Sequence, residues 1–150
     1  MTMDLYQTKI ISAIEQCNTF FSRLKLDKQY VLFYYTIFTK SEEEYFTLCD
    51  ESSKYLKLID SGNGSTFEKI SGCFLPEEVR FLRIRQQDSS NILVAGDILG
   101  KNMKNVQREL QRLGILFQIQ VRPNNRILEI TSDDSCVAIF FPEKHFLQDI

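Results

Sequence analysis

An α+β fold is expected from three features of the sequence. These are an apolar stripe at helical spacing near its start, a dense aromatic and β-branched run after it, and an amphipathic helix pattern beyond residue 100 that leads into two alternating segments. The 150 residues suit a single domain spanning 1–150, and a chain of that length buries roughly two-thirds of its unfolded surface.

The elements follow in order. Ile10, Ile14, Cys17, Phe21 and Leu24 repeat every three or four residues and set a helix from about Asp4 to Leu24. Ile11 and Phe20 widen its stripe. Such a helix either packs on its own sheet or is shared with a second subunit, to which Ile10, Ile11, Ile14, Phe20 and Phe21 would then be presented. Gln29 to Thr39 (QYVLFYYTIFT) reads as a central strand ending at the charged turn Lys40-Ser41-Glu42-Glu43-Glu44. Tyr45 to Leu48 and Tyr55 to Ile59 continue an antiparallel meander around the polar residues 50–53. Residues 60–65 (DSGNGS) form a loop. It lacks the glycine spacing and the Lys-Ser/Thr ending of a phosphate-cradling loop. Pro76 with Glu77 and Glu78 suits the first turn of a short helix, and Phe81 to Arg85 follows as a helix end or a strand.

In the second half, Ile92 to Leu99 is a short helix or strand closed by Gly100. Met103, Val106, Leu110 and Leu113 then line one helix face, with Lys101, Lys104, Arg108 and Arg112 on the other. Gly114 is placed to end that helix. Phe117 to Val121 and Arg126 to Ile130 alternate around Pro123-Asn124-Asn125. A turn at Asn124-Asn125 sets Val121 against Leu128 and Ile119 against Ile130, and pairs Gln120 with Glu129 on the other face. Cys136 to Phe141 forms a final strand.

The charge is segregated although the total is only -2. Between Arg80 and Arg126 stand nine basic residues, Arg80, Arg83, Arg85, Lys101, Lys104, Arg108, Arg112, Arg122 and Arg126, against three acids, Asp88, Asp97 and Glu109. Both flanks are acidic. A localised field of this kind attracts a polyanion or an acidic partner, because exposed charges are screened only beyond about 10 Å.

Two short elements, a basic amphipathic helix and a hairpin with basic residues at its turn make residues 92–130 resemble the second half of a winged helix-turn-helix module. The resemblance implies groove or phosphate contacts for Lys101, Lys104, Arg108 and Arg112, and backbone contacts for Arg122 and Arg126. No family is identified over the whole chain.

Nothing in the sequence announces catalysis. His145 reads as a surface histidine near Glu143 and Asp149, without a nucleophile motif, and the acid runs 42–44 and 133–134 read as solvated turns. The widely spaced Cys17, Cys49, Cys73 and Cys136 suit free thiols in a reducing compartment and show no metal-ligand spacing. The start lacks the features of a signal peptide, and no apolar run reaches membrane-spanning length. The expectation is therefore a non-catalytic subunit of an intracellular assembly, nuclear or cytoplasmic. It would need no cofactor, metal or small-molecule substrate and would dock a protein partner or nucleic acid through its basic middle. A winged-helix DNA reader using the 101–113 stripe is the alternative.

Overall fold

In the computed structural model, residues 5–87 and 91–145 are described. Asp4, Asp88 and Asp149 lie outside them. The chain runs α1 (Leu5–Arg23), a 3-10 turn (Leu26–Lys28), β1 (Tyr34–Thr39), α2 (Glu42–Ser53), β2 (Leu56–Asp60), β3 (Ser65–Lys69) and β4 (Phe81–Gln86). It continues through β5 (Val94–Asp97), α3 (Met103–Leu113), β6 (Gln118–Arg122), β7 (Asn125–Thr131) and β8 (Val137–Pro142). The strands form one sheet in the order β2-β3-β4-β1-β5-β8-β7-β6. The α+β class and the N-terminal helix are as expected, but the sheet is mixed: β1 runs parallel to β4 and β5 parallel to β8.

The strand order is that of two matching halves. Each is a strand, a helix and three antiparallel strands, the last returning beside the first, and the halves join where β1 pairs antiparallel with β5. Local chemistry repeats with them. The Ser41 side chain accepts the Glu44 N–H at 3.1 Å to cap α2, and the Asn102 side chain accepts the Asn105 N–H at 3.1 Å to cap α3. Both caps are separated by the same 61 positions that separate Thr36 from Asp97. Across the central pair, Tyr34 faces Asp97 and Thr36 faces Ala95, two contacts that exchange under a twofold rotation with that offset. Thr36 and Asp97 are thus equivalent positions at the centre of the sheet.

Strand alternation sorts the side chains into two faces. Tyr35, Ile37, Leu82, Ile84, Val94, Leu128, Ile130, Val137 and Ile139 point toward the helices and share one buried core with Ile10, Ile14 and Phe21 of α1, Leu48 of α2 and Val106 and Leu110 of α3. The apolar stripe of α1 is therefore satisfied within the chain. Ile10, Ile14 and Phe21, expected at a partner interface, are buried against the chain's own sheet, and Ile11 and Phe20 are half-buried. The other face stays open. It carries Thr36, Arg83, Asp97, Glu129 and Phe140.

Other expectations change for local reasons. The charged turn at 40–44 is a helix start, because Ser41 with Glu44 three residues on forms a capping pattern and Glu42, Glu43 and Glu44 favour the positive helix end. Tyr45 to Leu48 is accordingly part of α2. Residues 77–78 make a turn closed by the Val79 N–H on the Pro76 carbonyl at 3.1 Å, and Phe81–Gln86 is a strand. The β6–β7 hairpin turns at Pro123-Asn124 and pairs Ile119 with Leu128, a slip of two residues that leaves every side chain on its expected face. α3 ends as the sequence indicates. Gly114 adopts φ 72°, its N–H reaches the Gln111 carbonyl, and the Ile115 N–H reaches that of Leu110, which closes a Schellman motif. No helix among the described residues is long and apolar enough to cross a membrane.

Candidate functional site

Residues from both edges of the sheet meet over its open face, and the space between them is a cavity of about 300 Å³. Asp60 and Asn63 come from the β2–β3 turn, Arg83 and Arg85 from β4, Asp97 from β5, Gln120 and Arg122 from β6, Glu129 from β7 and His145 from the chain beyond β8. Phe38, Ile92, Ile127, Phe140 and Pro142 supply an apolar wall.

The floor lies at the join of the two halves. Arg83 is 8% exposed; its Nε donates to Thr36 Oγ1 at 2.9 Å, and its Nη2 stands 3.7 Å from Asp97 Oδ2. One guanidinium thus bridges the two equivalent positions. It also lies 5.6 Å over the Tyr34 ring, whose hydroxyl pairs with Thr66 Oγ1 at 3.1 Å. Asp97 is 3% exposed, and its Oδ1 is buried without a hydrogen-bond partner among the described residues. The contact with Arg83 at 3.7 Å is an ion pair too long to be a hydrogen bond. Burial pushes the Asp97 carboxyl above the usual carboxylate range, against the opposing pull of Arg83 and Arg85.

His145 is placed by a clasp. Asn125 Nδ2 donates to the Lys144 carbonyl at 2.8 Å, and the Lys144 N–H returns to Asn125 Oδ1 at 2.9 Å, tying the segment after β8 to the β6–β7 hairpin. The imidazole then stands edge-on to Tyr34, ring centroids 4.8 Å apart, with Nε2 3.8 Å from Asp97 Oδ2. Its side chain is only 9% exposed, so it is not the surface histidine expected from the sequence. Burial, aided by the Arg83 charge, pushes its pKa down to about 4, and the ring is neutral at pH 7. Its approach to Asp97 is therefore not an ion pair at that pH. On the far side, Arg122 Nη2 donates to Gln120 Oε1 at 2.9 Å and Gln120 Nε2 donates to Glu129 Oε2 at 2.6 Å.

The nine cations of the basic middle do not form one surface. Arg83, Arg85 and Arg122 line the cavity. Lys101, Lys104, Arg108 and Arg112 are exposed in and beside α3, in the helix layer on the opposite face of the sheet, where Arg112 pairs with Glu109. Arg126 pairs with Glu143, and Arg80 is exposed with its guanidinium 5.3 Å from the Phe33 ring and 5.2 Å from the Phe81 ring. Thr36 and Asp97 were not expected at a site, and Glu129 was expected only as the hairpin partner of Gln120, which it is. The signal for Asp97 was an acid inside the apolar run ILVAGDIL. Among the described residues, no group of three or more His, Cys, Asp or Glu is placed to hold a metal ion. All four cysteines are free thiols, and burial pushes the Cys17 thiol up to about 12.

No protein-family model and no curated protein matches the sequence. A solved structure described as a structural-genomics protein, EC4020, is similar along the whole chain, with a TM-score of 0.58 at 12% identity over 98% of this chain and 95% of that one. That similarity establishes a shared fold. The fosfomycin resistance protein FosX from Mesorhizobium loti also matches, at 16% identity over 76% of this chain and 92% of its own, but its TM-score of 0.27 carries no argument.

The expected non-catalytic subunit with a basic docking surface is corrected by these findings, as is its winged-helix alternative. α3 and the β6–β7 hairpin are not a module of their own. They belong to an eight-stranded sheet in a fold that EC4020 shares end to end. Of the cations that were to form one surface, Arg83, Arg85 and Arg122 line the cavity, and Lys101, Lys104, Arg108 and Arg112 lie in the opposite helix layer.

Proposed function

We propose that the chain is a small-molecule-binding protein of enzymatic type, with the cavity on the open face of the sheet as its active site. The observation that carries this reading is the unpartnered Asp97 Oδ1, buried in the cavity beside Arg83 and His145. A buried acceptor without a donor costs about 1–3 kcal/mol, and a bound ligand that donates to it recovers that energy. The neighbours favour acid–base chemistry on that ligand. His145, neutral above about pH 4, is the proton acceptor. Asp97, 3.8 Å from His145 Nε2, stabilises the imidazolium formed, and Arg83 fixes the carboxyl in place. The four free thiols support an intracellular, reducing location, cytoplasmic or nuclear.

The test is a screen of small polar metabolites against isotope-labelled protein, followed by amide chemical shifts. Binding at the cavity shifts Thr36, Arg85, Asp97 and Gln120 together, and His145→Phe weakens it. Ligands that shift only the helix layer, or no binding across a broad library, would refute the reading.

A further inference from the structure

We propose that the cavity takes a small organic anion that also carries a hydroxyl or amino donor and a short apolar body. This rests on the reading of the cavity as a small-molecule site and names the class of ligand that the site selects.

Size comes first. A volume of about 300 Å³ stands at the lower end of the roughly 300–1,000 Å³ of ligand sites, which suits a molecule of about ten non-hydrogen atoms better than a nucleotide or an extended cofactor.

Charge comes next. Arg83, Arg85, Arg122 and Lys144 line the cavity against Asp60, Asp97 and Glu129, so the basic groups outnumber the acidic ones. Arg83 is committed to Thr36 and Asp97, and Glu129 is held by Gln120. Arg122 makes its hydrogen bond to the neutral Gln120 carbonyl, a contact that leaves its charge unneutralised. A carboxylate or similar anion is the complement of that end.

The donor requirement comes from the floor. Asp97 Oδ1 is buried and lacks a partner, and an anion alone would leave it so. A hydroxyl or amine on the same ligand supplies the missing hydrogen bond. Phe38, Ile92, Ile127 and Phe140 then accept an apolar body of a few carbons.

Calorimetry with three related probes separates these elements: 2-hydroxy-4-methylpentanoate, the same compound as its neutral amide, and 4-methylpentanoate, which lacks the hydroxyl. The hydroxy acid is expected to bind the wild-type protein best. Loss of the charge pairing, through the amide on the ligand or Arg122→Gln on the protein, should weaken binding at least about 10-fold, since hydrogen bonds to charged groups contribute roughly 1.5–3 kcal/mol. Loss of the hydroxyl should weaken it about 5-fold or more. Arg122 is exposed, so its variant folds, and thermal unfolding verifies this. If the amide binds as well as the acid, or the deoxy acid as well as the hydroxy acid, the ligand class is overturned while the cavity stands as a site. If no probe binds and the broader metabolite screen also leaves the cavity residues unshifted, the underlying reading fails with it.

Discussion

Replacing Arg83 by Met removes the guanidinium that joins the two halves of the sheet and keeps most of the side chain's apolar stem. The hydrogen bond to Thr36 Oγ1 at 2.9 Å and the ion pair to Asp97 Oδ2 at 3.7 Å are both lost, at a residue 8% exposed. Stranding a buried charge in this way costs about 3–5 kcal/mol. Asp97 has an escape, which is to take up a proton. Burial already raises its pKa, and without Arg83 the pKa rises further. A carboxyl whose folded pKa lies above its unfolded value stabilises the fold fully below the unfolded pKa, and that contribution fades as pH rises toward the folded pKa. Both proteins lose stability up to the wild-type folded pKa, so the penalty of Arg83→Met should grow only between the wild-type and the higher variant pKa, by up to about 1.4 kcal/mol per pH unit. Urea unfolding at pH 5 and pH 7 reads it directly. The expected loss is about 3 kcal/mol or more at pH 7 and distinctly less at pH 5. Adding Asp97→Leu should recover most of the loss, because a buried pair replaced as a whole by apolar groups is near neutral. A loss below about 1 kcal/mol at both pH values would mean that Asp97 is not held as a buried charged partner, and the reasoning would be wrong.

Four further outcomes are expected. His145, with its pKa pushed down to about 4 from 6.5, contributes stability that is present above pH 6.5 and lost as pH falls toward 4; a pH series should show that loss, and His145→Phe should flatten it. Leu110→Ala, at a fully buried position, should cost about 2–4 kcal/mol in chemical denaturation, whereas the exposed Lys104→Ala should change stability by less than about 0.5 kcal/mol. Gly64 adopts φ 74°, and a Cβ there would lie 2.5 Å from the Ile84 carbonyl oxygen, so Gly64→Ala should lower the melting temperature by several degrees, by an estimate of about 2 °C or more per kcal/mol. Asn125→Ala breaks the clasp that places His145, and it should weaken binding of the hydroxy acid more than it lowers stability, measured by calorimetry beside urea unfolding.

What the sequence revealed is what local physics decides. The stripe of α1, the two faces of α3, its Gly114 end and the face assignment of the β6–β7 hairpin all follow from periodicity and turn chemistry, so they could be read from the residues. The start of α2 was legible too. Ser41 and Glu44 form a capping pair, but the aromatic run before them drew the next residues into a strand. The duplication was hidden because the halves share an offset and a pattern of roles, serine for asparagine at the caps and threonine for aspartate at the centre. Identical residues were not needed to repeat the fold. The site was hidden for a related reason. Its parts lie on β1, β4 to β7, the β2–β3 turn and the segment after β8, and only the sheet order brings them to one place. Counted along the chain, Arg83 and Arg85 belong to a basic segment with Lys104 and Arg108. In space, strand alternation sends the first pair into the cavity, and the second pair lies on the opposite side of the sheet.

That Asp97 sits buried at the floor of a ligand site can be checked by the pH titration of its side-chain carboxyl by carbon NMR, with and without the hydroxy acid. The expected midpoint lies above the usual carboxylate range and moves when ligand is added. A midpoint at or below that range, unmoved by ligand at saturating concentration, would contradict it.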